Sequence, residues 1–416
     1  MRILITEEAL QDGGGHWPSY IGGIAEGMRE AGDEVDVLMH QDATPELVRE
    51  IQGVPYLSRN CWVDESSQGG LGGIRHNLIL RDELSRWLST HEPYDWVCCL
   101  TMRLQHLLAM AMLSRSGKIP SQTRFLMLFV QGFGQYAGLG KPTVFPHNLS
   151  TYLARFCFRL LAPAVRSGRV VLAAETKGMQ DELQRFTGLS ISLFPHPVPP
   201  PAVSTLKPHD LETSQSQPAC NRLGENESSE SRVTITCPGF ARHEKGNDLL
   251  QQAIRLILAC PAGDGYRFVM QWPEPFEMPD GAMLGPDPEL LADERVEFLN
   301  GSLNAEEYEQ LLDRSDLVVL PYRCESYHHR LSRVAIEAAS RGIPLIYSKG
   351  TWTSEVADLV GGGVEIEDES PEGIKEAILT AVNTLDRLRM TAESGSKGVT
   401  DFHSGSHFRK LMENRG

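Results

Sequence analysis

Cys237-Pro238-Gly239-Phe240-Ala241-Arg242-His243-Glu244-Lys245-Gly246 follows the strand-like run Arg232 to Cys237 and leads into a helical pattern from Asp248 to Ala259. A glycine at the end of a strand lets an anion approach the backbone. Arg242 and Lys245 would then set two cations beside that anion, and the helix N-terminus adds a partial positive charge. An exposed basic turn with a glycine hinge would use the same residues. Beyond this segment the pattern continues with strands at Arg267 to Gln271, Val296 to Leu299, Leu317 to Leu320 and Pro344 to Tyr347. Helical stretches, Asn304 to Arg314 and Arg330 to Arg341, alternate with them. Such alternation predicts a parallel sheet wrapped by helices on both faces.

The first half of the chain repeats the theme. Arg2 to Thr6 reads as a strand, Asp12 to His16 as a glycine-rich turn, Pro18 to Ala31 as a helix and Glu34 to Leu38 as the next strand. Further strands are expected at Asp95 to Leu100, Arg124 to Val130, Arg169 to Ala174 and Ser190 to Phe194, with a helix over Lys177 to Phe186. Between the halves the sequence turns Pro-rich and then Ser-, Gln-, Glu- and Asn-rich, which predicts a flexible linker. The expected organisation is an N-terminal Rossmann-like domain at 1–197, a linker at 198–232, and a C-terminal Rossmann-like domain at 233–395. A tail at 396–416, with Phe402, Phe408 and Leu411 among polar residues, suits a last helix returning to the first domain. The fold class is α/β, two doubly wound domains facing a central cleft, where open α/β sheets bind their ligands.

Composition narrows the function classes. A hydrophobic share of 41 % and a charged share of 23 % over 416 residues suit two globular cores rather than a disordered or fibrous chain. No run approaches the roughly 20 apolar residues of a spanning helix. The N-terminus enters a strand at once, with no signal-peptide pattern, so a cytoplasmic location is expected. Eight cysteines without a Cys-x-x-Cys pair read as buried free thiols. The net charge of −16 hides an asymmetry: from Trp96 to Ala174 there is no Asp or Glu, while nine Lys and Arg occur. That segment is either a solvated basic face or a surface for an anionic partner, with Leu149 to Arg169 on the inner face of a membrane or against a phosphorylated acceptor. Nucleic acid is excluded as a partner by the acidic whole and the lack of a binding motif.

With Glu337-Ala-Ala-Ser-Arg-Gly342-Ile-Pro344-Leu-Ile added, the strand, Gly239, Glu244-Lys245-Gly246 and helix resemble the C-terminal domain of the retaining family-four glycosyltransferases, which have the GT-B fold. The resemblance implies that Lys245 holds the diphosphate of a nucleotide-sugar donor and that Glu337 hydrogen-bonds its ribose, a vicinal diol offering two donors to two carboxylate oxygens. Arg242 and Lys245 become the catalytic pair, stabilising charge on the leaving diphosphate. Gly239, Gly246, Arg330 and Ser332 join Glu337 as donor-binding residues. In the first half, Gly13-Gly14-Gly15-His16-Trp17 resembles the family's glycine loop. Gly14, Gly15 and His16, with Gln131 and Thr176, are the expected acceptor or phosphate contacts. The departures are specific: Phe240 stands where the family has arginine, His329 where it has a second glutamate, and Gln131 where relatives carry a histidine. The resemblance implies a metal-independent hexosyltransferase without a cofactor, acting on a glycan or lipid-linked acceptor. A silent nucleotide-sugar-binding protein and a phosphorylase or epimerase of the same fold are the alternatives. A dehydrogenase is disfavoured, since the opening glycines lack Gly-x-Gly-x-x-Gly spacing despite Asp36 downstream.

Overall fold

The computed structural model describes residues 1–13, 15, 17–64, 69–201 and 232–414. The first half forms β1 (Arg2–Thr6), β2 (Glu34–His40), β3 (Val54–Leu57), β4 (Trp96–Met102), β5 (Arg124–Phe129), β6 (Val170–Ala174) and β7 (Ile191–Leu193). They pair in the order β3-β2-β1-β4-β5-β6-β7, every pair parallel. β4 and β6 are buried along their whole length. Strands covered on both faces need no polar alternation, which explains runs such as Phe-Leu-Met-Leu-Phe in β5.

The second half forms β8 (Val233–Cys237), β9 (Tyr266–Gln271), β10 (Phe276–Glu277), β11 (Met283–Leu284), β12 (Val296–Leu299), β13 (Leu317–Leu320), β14 (Leu345–Ser348) and β15 (Val364–Ile366). β10 and β11 make a small antiparallel hairpin. The others form a parallel sheet ordered β12-β9-β8-β13-β14-β15. In each sheet the strand order reverses once, between β1 and β4 and between β8 and β13. Loops leaving the carboxyl ends at such a reversal diverge to opposite faces and open a crevice. In the second half those loops are 238–246 and 321–332.

Each half buries apolar clusters on both faces of its sheet. Helix starts carry capping side chains: Thr176 accepts the Met179 amide, Asn304 accepts that of Glu307, and Ser332 accepts that of Ala335. The Ser332 cap makes the third helix-rich segment shorter than expected, Arg333–Ser340 rather than 330–341, and leaves 328–332 as loop. The sequence reading also missed the helices Gly69–Thr90 and Leu104–Ser114, whose apolar residues crowd more than one face. Most of the expected linker lies outside the described residues. The chain ends in two helices, Leu385–Phe402, which runs across the boundary drawn at 395, and Gly405–Glu413. The second packs on the N-terminal helix Trp17–Glu30, placing Phe408 against Phe194. Arg409 and the chain's amino terminus meet there on buried Asp33. No helix among the described residues is long and apolar enough to cross a membrane.

Candidate functional site

β8 delivers the chain to Gly239, which adopts φ +84° and donates its amide to Gln271 Oε1 at 2.8 Å. The turn that follows is fixed from beneath. Buried Asn247 accepts the Arg242 amide at 3.1 Å, and Arg323 donates to the His243 carbonyl while pairing with Asp248 at 2.6 Å. This frame folds Lys245 back over the strand end: a Cβ on Gly239 would lie 2.8 Å from Lys245 Nζ. Glycine is favoured there by φ, whereas a Cβ would press only on the flexible end of the lysine. Gly246, at φ +68°, serves the scaffold, because a Cβ would lie 2.0 Å from the Pro321 carbonyl oxygen.

Lys245 carries the most unusual electrostatics of the loop. Burial, with the positive charges of Arg242 and Arg330 and against the opposing influence of Cys237 and Glu244, brings its ammonium down to about 8. Arg242 is exposed, 3.7 Å from Glu244, and Arg330 lies over the Tyr327 ring with its guanidinium 5.1 Å from the centroid. Val334, in the first turn of the Arg333–Ser340 helix, comes within 3.7 Å of a Cβ on Gly239. Lys245 thus lies against a glycine at a topological reversal, with Arg242 and Arg330 in electrostatic reach of it, an arrangement suited to a polyanion.

Glu337 sits in the same helix, buried, with both oxygens engaged: Oε2 accepts the Tyr308 hydroxyl at 2.9 Å and Oε1 accepts Arg333 Nε at 2.6 Å. Arg333 also donates to Ser19 of the N-terminal half. A diol would meet a carboxylate already oriented by two donors. Ser332 is taken up by its cap and by Tyr322, 3.3 Å away, so its hydroxyl is a structural group.

The N-terminal contributions are more dispersed. Gly14 and His16 lie outside the described residues. Gly15 has φ +74° with open space around its Cα, and Gln131 is exposed. Thr176, expected beside the acceptor, is buried. Its hydroxyl caps the Lys177–Thr187 helix and donates to the His329 carbonyl at 2.8 Å, joining the two halves. Beside it, Glu355 accepts the Lys177 amide at 3.2 Å across the same junction. Sequence reasoning missed Tyr308, Ser19 and Arg333. The i,i+4 spacing of Arg333 and Glu337 was a legible signal; the other two reach the site only through tertiary packing.

Residues 232–384 match the family model described as Glycosyl transferases group 1. A glycosyltransferase from Rickettsia africae ESF-5 superposes with a TM-score of 0.63 at 14 % identity, over 100 % of this chain and 97 % of that one. HepE of Anabaena in complex with UDP gives 0.61 at 14 %, over 100 % and 99 %. The catalytic domain of starch synthase IV from Arabidopsis thaliana, bound to ADP and acarbose, gives 0.60 at 13 %, over 100 % and 98 %. The fold is GT-B. A sequence comparison with curated proteins finds no match.

Proposed function

We propose that this protein moves a hexose from a nucleoside-diphosphate sugar to a hydroxyl of a glycan or lipid-linked acceptor, with retention at the anomeric carbon. The observation that carries the reading is Lys245 folded against Gly239 among Arg242 and Arg330, a cationic pocket at the sheet's reversal point. As the bond from the anomeric carbon to the diphosphate oxygen breaks, negative charge grows on the leaving group. Fixed cations stabilise that charge more in the transition state than in the ground state. The acceptor oxygen bonds to the anomeric carbon, and its proton passes to the leaving phosphate oxygen, so neither a metal at the diphosphate nor a separate base is required by this chemistry. Glu337, oriented by Tyr308 and Arg333, takes the ribose diol. Gly15 and Gln131 are assigned to the acceptor side.

The solved structures with this fold include complexes with UDP and with ADP, which supports a nucleoside diphosphate as the ligand of the pocket. Thermal unfolding against UDP-, GDP- and ADP-sugars tests the assignment. Stabilisation by one donor, lost in Lys245→Ala and Glu337→Ala, is expected; no shift with any of them in folded protein rejects it. A second reading, donor binding without transfer, draws on Gln131 and His329 in place of the family's histidine and glutamate. Release of the free sugar or of a glycosylated acceptor rules that reading out.

A further inference from the structure

A second chemistry-bearing cluster lies where the halves meet. Glu182, in the Lys177–Thr187 helix of the N-terminal half, is buried, and its Oε1 accepts the amides of Phe133 and Gly134 at 2.7 and 2.9 Å. Its Oε2 is equally buried and has no hydrogen-bond donor among the described residues. Facing it from the C-terminal half are His328 and His329, whose rings touch edge to face with centroids 3.7 Å apart. His328 Nδ1 lies 3.2 and 3.1 Å from the carbonyls of Cys324 and Glu325. Carbonyls only accept, so Nδ1 carries the proton and Nε2 presents a lone pair; that nitrogen too is buried without a partner. His329 Nε2 is 3.8 Å from Glu182 Oε2. One ligand atom from each of the three residues lies within 4.8 Å of the others.

Two buried acceptor atoms without a donor, Glu182 Oε2 and His328 Nε2, are unfavourable there. A cation would satisfy both at once, with His329 Nε2 3.8 Å from Glu182 Oε2 as a third ligand. The histidine tautomer is the one a metal ligand needs, with Nδ1–H held by backbone carbonyls and Nε2 free. Two ligands each about 2.1 Å from one ion stand roughly 3–4 Å apart, which the Glu182 to His329 spacing meets. Two imidazoles and one carboxylate suit zinc or a similar d-block ion, whereas magnesium prefers oxygen ligands alone.

The N-terminal half contains a contrasting group, Glu8, Cys61, His76 and His106. There the Arg103 amide donates to His106 Nδ1, so His106 carries its proton on Nε2, 3.2 Å from Glu8 Oε1. Glu8 also accepts the Cys61 amide and pairs with His76. That cluster is satisfied by its own protons.

We propose that Glu182, His328 and His329 bind a zinc-type divalent cation that joins the two halves of the chain across the cleft. The proposal does not depend on the donor assignment. Three protein ligands leave a coordination position for water or a ligand oxygen. The test is titration of chelator-treated full-length protein with Zn²⁺ and Co²⁺, read by thermal unfolding and by the visible spectrum of the cobalt form. Binding of about one ion per chain with a raised Tm is expected. Glu182→Gln and His328→Ala, verified as folded by circular dichroism, should each weaken binding by more than the about 10–100-fold typical of outer-shell changes. Cys61→Ala should leave it unchanged. Absence of saturable binding by either ion overturns the proposal, as does binding that survives in both variants or is lost in Cys61→Ala.

Discussion

At the scale of single residues, Lys245 is where charge and function meet. Its ammonium is depressed to about 8 by burial and by two neighbouring cations, and a bound diphosphate would favour the charged form. Linkage then fixes the sign: donor binding takes up a proton as pH rises through 8, so affinity is highest below that value and falls above it. Calorimetric Kd values measured from pH 6.5 to about 9.5 should show this decline, and Lys245→Ala should flatten it while lowering kcat on the order of 10²–10³-fold. Gly246 gives a prediction of another kind. Its φ of +68° matches that of Gly188, but Gly188 faces open space while Gly246 abuts the Pro321 carbonyl. Gly188→Ala should cost about 1 kcal/mol for the left-handed backbone alone; Gly246→Ala should cost at least about 3 kcal/mol in urea unfolding, because a buried carbonyl must also move. Both glycines of the loop were legible in the sequence as conformationally special. That Gly239 yields space to Lys245, and Gly246 to a proline far along the chain, was not, since nothing local encodes which backbone arrives from another strand. Glu337 illustrates the same limit: its position was legible, but Tyr308 and Ser19 join its network only once the sheets are assembled.

Among the elements, the helix Leu149–Arg166 carries the clearest unspent chemistry. Thr151, Ala154, Cys157, Phe158 and Leu161 form its buried face. Leu149, Tyr152 and Phe156 remain exposed on the other side, with Arg155 and Arg159 exposed beside them. An apolar stripe bordered by arginines on one side fits the interface of an anionic bilayer, where each arginine contributes about 1 kcal/mol. Sedimentation with vesicles containing phosphatidylserine should therefore show binding that weakens as salt is raised. Arg155→Ala with Arg159→Ala should reduce it roughly 30-fold, without changing donor-induced stabilisation. Neutral vesicles that bind equally well would defeat the idea. The charge asymmetry was plain in the sequence. Which face of this helix stays free depends on Phe186 and Phe133 packing against Phe158, and periodicity alone does not say which of two apolar stripes the core will take.

The whole molecule is tied together by segments that return to the opposite half. Thr176 bonds the His329 carbonyl, Glu355 receives the Lys177 amide, and Arg333 reaches Ser19. The last helix, Gly405–Glu413, completes the N-terminal core from the far end of the chain. Phe408 and Met412 are fully buried there, and Gly27 and Gly405 let the two helices approach until a Cβ on Gly27 would sit 2.4 Å from the Gly405 carbonyl carbon. The N-terminal sheet therefore lacks part of one face until the final residues are in place. Phe408→Ala, which empties a site between Phe194 and the Trp17–Glu30 helix, should cost about 3–5 kcal/mol. Because the deleted ring belongs to the N-terminal core, hydrogen exchange should accelerate in β1, β4 and β5 more than in β8 and β13. Equal acceleration in both sheets would mean that the halves unfold as one cooperative unit. Acceleration confined to the last helix would show instead that the first half holds its core without this helix.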